Sequence, residues 1–214
     1  HPLLRLLAAP DLAPLSAAER DFLLQTCFRG NHTTMLVPFP RYQRLFDLYR
    51  NLTHEGETAL AYLSDTYFTD LVTWYHMAWT GESARRRQPM LAELMSQGEA
   101  YTCADRLGLL ALIGEELRQL IPRYRALAKS GQIEISSTPQ THPLAPLLLD
   151  FKVARETQPD APLPFAASYP GGRTRVAEQI EAARTSHASR FGAPPAGMWP
   201  AEGAVSAAFV KQLA

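Results

Sequence analysis

Apolar positions along the first half of the chain recur at three- and four-residue steps, the period of helices that bury one face. In "LSAAERDFLLQTCF" Ser16 stands where an N-cap belongs and Glu19 three residues later completes a capping box, after which Phe22, Leu23 and Cys27 fall on one side. "PRYQRLFDLYRN" starts a second helix at Pro40, with Tyr42, Leu45, Phe46 and Tyr49 on one face. "SDTYFTDLVTWYHMAWTG" is apolar without a period of two and long for a strand, so it predicts a buried helix ending at Gly81. Asp105 to Lys129 carries Leu109, Ile113, Leu117, Leu120, Tyr124 and Leu127 in helical register, with a kink expected at Pro122 and a stop at Gly131.

After Gly131 the texture changes. "GQIEISSTP" alternates Ile133 and Ile135 with polar residues between Gly131 and Pro139, which predicts a strand. "LPFAASYP" and "PPAGMWP" are two further short strand candidates. Between them lies a helix with Val176, Ile180 and Ala183 inward, and a last helix is expected over "EGAVSAAFVKQLA". Helix, strand, strand, helix, strand, helix predicts an α/β fold of βα units on a mostly parallel sheet, open or closed into a barrel. Chemistry in such folds gathers at the C-terminal strand ends, where His142 and Glu202 both fall.

Composition narrows the partners. The 214 residues are 46% apolar and 20% charged, with 21 basic against 21 acidic side chains, so no net field favours nucleic acid or an anionic membrane. Cys27 and Cys103 lack metal or disulfide spacing, and no apolar run is long enough for a membrane span or signal segment, which together predict a cytoplasmic protein. The chain opens at His1 and closes within an apparent helix, as a portion of a longer protein would.

Four residues carry candidate chemistry. Glu134 sits inside the first strand, where it either faces a functional interior or points to solvent from the polar side of the alternation. His142 stands in a loop stiffened by Pro139, Pro143 and Pro146, as a ligand donor or as a turn residue that packs. Trp199 and Glu202 are three residues apart at a strand-to-helix junction. An indole beside a carboxylate suits a sugar, whose C–H face stacks while the carboxylate meets positive charge at the anomeric carbon. Alternatively Trp199 is core and Glu202 occupies the first helical turn, where the dipole favours it. The cluster Trp74, Tyr75, His76, Met77 and Trp79 reads as core, unless Trp79 lines a cleft. His32 has no partner histidine at metal spacing, and the sequence has no dinucleotide, phosphate-loop or nucleophile-elbow motif, so no metal or cofactor is expected.

"GQIEISSTPQTHPLAPLLLD", followed about sixty residues later by "GMWPAEGAVS", resembles glycoside hydrolase family 57, particularly its bacterial α-amylase/α-mannosidase-like branch. "RDFLLQTCFRGNHTTMLVPFPRYQRLFDL", "DLVTWYHMAW" and "YPGGRTRVAEQIEAARTSHASRFGAPPAG" look like the same branch, so the similarity spans nearly the whole chain. The resemblance implies a distorted (β/α)7 barrel, of which residues 1–214 form an incomplete part: a mostly helical region 1–130 and βα units 131–214 within one catalytic domain. It implies action on α-glucans or maltooligosaccharides with retention of configuration, Glu202 as nucleophile, Trp199 against the sugar, and Glu134 and His142 lining the site. Two departures accompany it. The family's His-x-His-Gln-Pro-like motif has no counterpart here, and its acid/base aspartate lies on a later strand, beyond Ala214. Residues 1–214 alone are therefore expected to be inactive. The alternative class is a non-catalytic carbohydrate-binding or regulatory module on the same fold. A metal-dependent deacetylase would need an aspartate and two histidines together, which the spacing of His32, His54, His76 and His142 does not offer.

Overall fold

The computed structural model describes residues 1–13, 15–166 and 168–213. Two compact units make up the chain, His1–Leu117 and Arg118–Ala214. In the first, α1 (Pro2–Ala8) and α2 (Ala17–Cys27) are followed by α3 (His32–Met35), α4 (Pro40–Glu55), a 3-10 turn over Glu57–Tyr62, α5 (Asp65–Trp79), α6 (Glu82–Arg87) and α7 (Pro89–Gln97). α8 (Cys103–Lys129) starts in this unit, continues through Pro122 and contains the division between the two.

Local chemistry sets most of these boundaries. Glu19 N–H donates to Ser16 Oγ at 3.3 Å and Ser16 N–H donates to Glu19 Oε2 at 3.1 Å, the reciprocal box expected at the start of α2. Pro2, Pro40 and Pro89 occupy first turns, where a missing N–H costs nothing because the helix leaves that donor unpaired anyway. α5 is apolar on almost every side and is correspondingly sunk in the core, with Phe68, Leu71, Val72 and Met77 fully buried. It fixes the turn after α7 with two side chains: Trp74 Nε1–H donates to Gly98 O at 2.8 Å, and the Asp70 carboxylate accepts from Ala100 and Tyr101 N–H at 3.1 and 3.2 Å. Trp74 is thus core, stacked 6.3 Å from Tyr42, whereas Trp79 is 56% exposed. Arg106 is buried beneath α1, where its Nη1 donates to the carbonyls of Leu7 and Ala9 at 2.9 and 2.7 Å, closing a helix end that would otherwise leave acceptors unpaired.

In the second unit, α9 (Ala145–Leu149), a 3-10 turn over Phe151–Val153 and α10 (Ala154–Thr157) lead to α11 (Gly172–Phe191), and a 3-10 turn over Ala201–Gly203 leads to α12 (Ala207–Leu213). Ala145, Val176, Ile180 and Phe209 form the core, with Leu148, Leu149, Met198 and Leu213 packed around them. α11 approaches α9 so closely that a Cβ at Gly172 would lie 1.8 Å from the Leu148 carbonyl oxygen, so this position accepts only glycine.

The α/β class and the (β/α)7 barrel are corrected by this structure, which is predominantly helical and has no strand among its described residues. Of the three strand candidates, Gly131–Pro139 and Pro194–Pro200 meet in one parallel bridge, Ser137 with Met198. Ala196 N–H donates to Ile135 O, Ser137 N–H to Gly197 O and Trp199 N–H to Ser137 O. Pro139 lacks the N–H that would extend this pairing past the bridge, and Pro194 and Pro195 lack donors ahead of it. The described residues of Leu163–Pro170, a segment with prolines at 164 and 170, form no bridge; Ala167 lies outside the described residues, as does Ala214 at the end of the last expected helix. That helix begins at Ala207 rather than Glu202.

Candidate active site

The parallel bridge explains why residues sixty positions apart meet. Because the two segments run in the same direction, they leave the Ser137–Met198 contact toward the same side. His142 comes five residues after Ser137 and Glu202 four residues after Met198. Each then turns back. His142 N–H donates to Pro139 O at 3.1 Å, while Gly203 N–H donates to Pro200 O at 2.9 Å and Ala204 N–H to Ala201 O at 3.0 Å. Ala201 is 2% exposed and anchors the second turn. The result is a contact of 2.9 Å between His142 Nε2 and Glu202 Oε1. An ionised carboxylate has only acceptors, so the imidazole nitrogen is the donor.

Backbone conformation singles out the same place. Among the described residues the non-glycine residues with positive φ are Ala100, Thr141, His142 and Glu202, the last three at +66°, +54° and +55°. Left-handed backbone costs L-residues of order 1–3 kcal/mol each, so it persists only where surrounding contacts enforce it. Three such residues thus converge on one contact.

Trp199 lies next to this pair in the chain. Its backbone is held by the 2.6 Å bond to Ser137 O, while its side chain is 61% exposed, so the indole is no core residue. Glu202, in the 3-10 turn Ala201–Gly203, precedes α12 and is not part of its first turn. The structure therefore brings His142 and Glu202 into contact, with the exposed Trp199 three residues before Glu202 in the chain. Glu134 is placed elsewhere: exposed, three residues before the bridge where the pair lies after it, and lining a cleft of about 220 Å³ with Ile133, His187 and Phe191. At about 3.3 Å per extended residue this is roughly 10 Å from the bridge, on the side away from the pair.

Two polar residues of this unit escaped the sequence reading. Gln179 in α11 donates from Nε2 to Thr141 Oγ1 at 2.8 Å, and its carbonyl accepts from Gln140 N–H at 3.0 Å. His187 is buried, with Nδ1 2.9 Å from Ala193 O. Both sit on or beside the stripe of Val176, Ile180 and Ala183, and a polar side chain on an apolar stripe is the signal that would have found them. An open cleft of about 420 Å³ is lined by Ser136 to His142 and, from α11, by Ala183, Ser186, His187, Arg190 and Phe191. Among the described residues no three His, Cys, Asp or Glu side chains gather as a metal site, and no helix is long and apolar enough to cross a membrane.

The site thus joins an exposed carboxylate with one oxygen held by an imidazole to an exposed indole three residues earlier in the chain. Residues 15–214 match the model of glycosyl hydrolase family 57, and the chain belongs to that family. No curated protein and no solved structure matches it.

Proposed function

We propose that Glu202 is the attacking carboxylate of a retaining hydrolase or transglycosylase acting on α-linked glucans. The observation that carries this reading is the 2.9 Å contact between His142 and Glu202, made by two left-handed residues sixty positions apart. Nothing in a fold's stability calls for an exposed pair held in unfavourable backbone. In the first step a lone pair on Glu202 Oε2 forms a bond to the anomeric carbon while the bond from that carbon to the leaving oxygen breaks. The leaving oxygen takes a proton from a general acid, a role for which the family resemblance points to an aspartate. Water or a sugar hydroxyl then attacks the same carbon, gives up its proton to the conjugate base of that acid, and releases the Glu202 carboxylate. His142 holds Oε1 so that Oε2 points at the sugar, and Trp199 offers its exposed face to the ring. Glu134 has no part in the attack.

The test is trapping. An activated fluoroglycoside of an α-glucan, incubated with the full-length protein, should add one glycosyl mass to the peptide bearing Glu202, and Glu202→Gln should abolish both labelling and turnover without unfolding the protein. Maltooligosaccharide cleavage should release the α-anomer first. A label on another residue, or initial release of the β-anomer, refutes the assignment. Binding of maltooligosaccharide without labelling or turnover would establish the carbohydrate-binding alternative instead.

A further inference from the structure

We infer that Gln179, from the middle of α11, is a positioning residue for the attack, acting through Thr141 on His142; the inference rests on the reading of Glu202 as nucleophile. Three observations carry it. Gln179 grips the turn before His142 at two successive residues: its carbonyl accepts from Gln140 N–H at 3.0 Å, and its Nε2 donates to Thr141 Oγ1 at 2.8 Å. Of the residues thus gripped, Thr141 is itself left-handed and is followed by left-handed His142, at φ +66° and +54°. Threonine is β-branched and is a pronounced outlier in that region, so some contact must hold it there. Finally, Oε1 of Gln179 is buried without a partner, so Thr141 Oγ1 is the one polar contact of this side chain among the described residues. The contact survives either orientation of the amide, because a hydroxyl both donates and accepts.

The physical consequence is leverage. Gln179 touches neither His142 nor Glu202, yet it selects the backbone conformation from which the imidazole reaches Oε1. Without the grip, Thr141 relaxes toward ordinary β or α backbone, and the side chain at 142 is re-aimed. Misplacing a reacting group by about 1 Å from a remote mutation can cost on the order of a hundredfold in rate. Substrate binding by the exposed indole does not depend on this turn, so the loss belongs in kcat.

Gln179→Leu keeps the volume and the backbone carbonyl bond while removing the amide, Thr141→Val removes the hydroxyl at constant shape, and Thr141→Ser retains it. In the full-length protein, Gln179→Leu and Thr141→Val should each lower kcat by about tenfold or more, with KM within about twofold and melting temperature within a few degrees. The double variant should be no slower than the worse single one, Thr141→Ser should stay near the unaltered rate, and fluoroglycoside labelling of Glu202 should slow in parallel. Unchanged kcat and labelling rate in Gln179→Leu or in Thr141→Val, a loss confined to KM, or losses that multiply in the double variant would overturn the inference. Failure of the unaltered protein to label at Glu202 would instead overturn the assignment of the nucleophile.

Discussion

Replacing His142 by glycine should leave the protein about as stable as before while removing most of its activity. Glycine takes a φ of +54° freely, which relieves the roughly 1–2 kcal/mol that left-handed backbone costs an L-residue. Against this stands the lost pair with Glu202. Its side chains are 50% and 71% exposed, so solvent screening limits its contribution to about 0.2–1 kcal/mol. Glycine's additional freedom in the unfolded chain opposes the gain by about 0.5–1 kcal/mol more. The net change lies between a loss of about 1 kcal/mol and a gain of about 1.3 kcal/mol, so a denaturant midpoint should barely move. Activity behaves differently: with Oε1 released, the carboxylate samples orientations in which Oε2 no longer faces the anomeric carbon, and kcat should fall by about ten- to a hundredfold. His142→Asn is the companion variant, because asparagine tolerates left-handed backbone and carries no imidazole. Equilibrium denaturation and steady-state kinetics on the same preparations decide the matter. A stability loss above about 3 kcal/mol in both variants would make His142 a structural residue, and full activity in both would leave Glu202 with no need of its imidazole.

Two further predictions concern the first unit. Arg106→Leu removes two short bonds from a buried guanidinium to the Leu7 and Ala9 carbonyls, and hydrogen bonds to charged groups contribute about 1.5–3 kcal/mol each; destabilisation by about 3 kcal/mol or more, with loss of amide exchange protection in α1, is expected, and an unchanged denaturation midpoint would refute it. Burial holds the His76 imidazole below its ordinary value of 6.5, although its Nδ1–H bond to the Val72 carbonyl works the other way. The unfolded chain therefore binds the proton more readily, so the contribution of neutral His76 is present above pH 6.5 and is lost as pH falls below that value toward the folded one. Unfolding free energies at pH 7.5 and 5.5 should differ more for the unaltered protein than for His76→Gln; equal differences would show that His76 does not titrate in this window.

How far the sequence reaches follows from the range of the interactions involved. The start of α2 was legible because Ser16 and Glu19 are three residues apart and satisfy each other whatever the remainder of the chain does. The buried character of α5 was legible from its apolar circumference alone. Extended segments are another matter: the alternation around Ile133 and Ile135 marks a stretch that avoids helix, but a strand exists only with neighbours, and the number of neighbours is settled by residues far away. Here Pro139, Pro194 and Pro195 limit the pairing to the Ser137–Met198 bridge, and no strand forms among the described residues. His142 and Glu202 came from their place at expected strand ends and then from motif resemblance, neither of which says that they touch. Their contact follows from the register of that bridge, and the register depends on a carbonyl at Gly197 and an amide at Trp199 that any residue but proline could supply. Gln179 could be noticed as a polar residue on the apolar stripe of α11, but what it grips was illegible for the same reason in stronger form. Half of its grip on the turn is a backbone carbonyl, identical in every residue type, and the other half is a hydrogen bond across 38 positions that no local period records. The residues of such a site are therefore written in the sequence, while the contacts that aim them are written largely in the backbone, and substitutions at Gln179 and Thr141 test the second kind of information apart from the first.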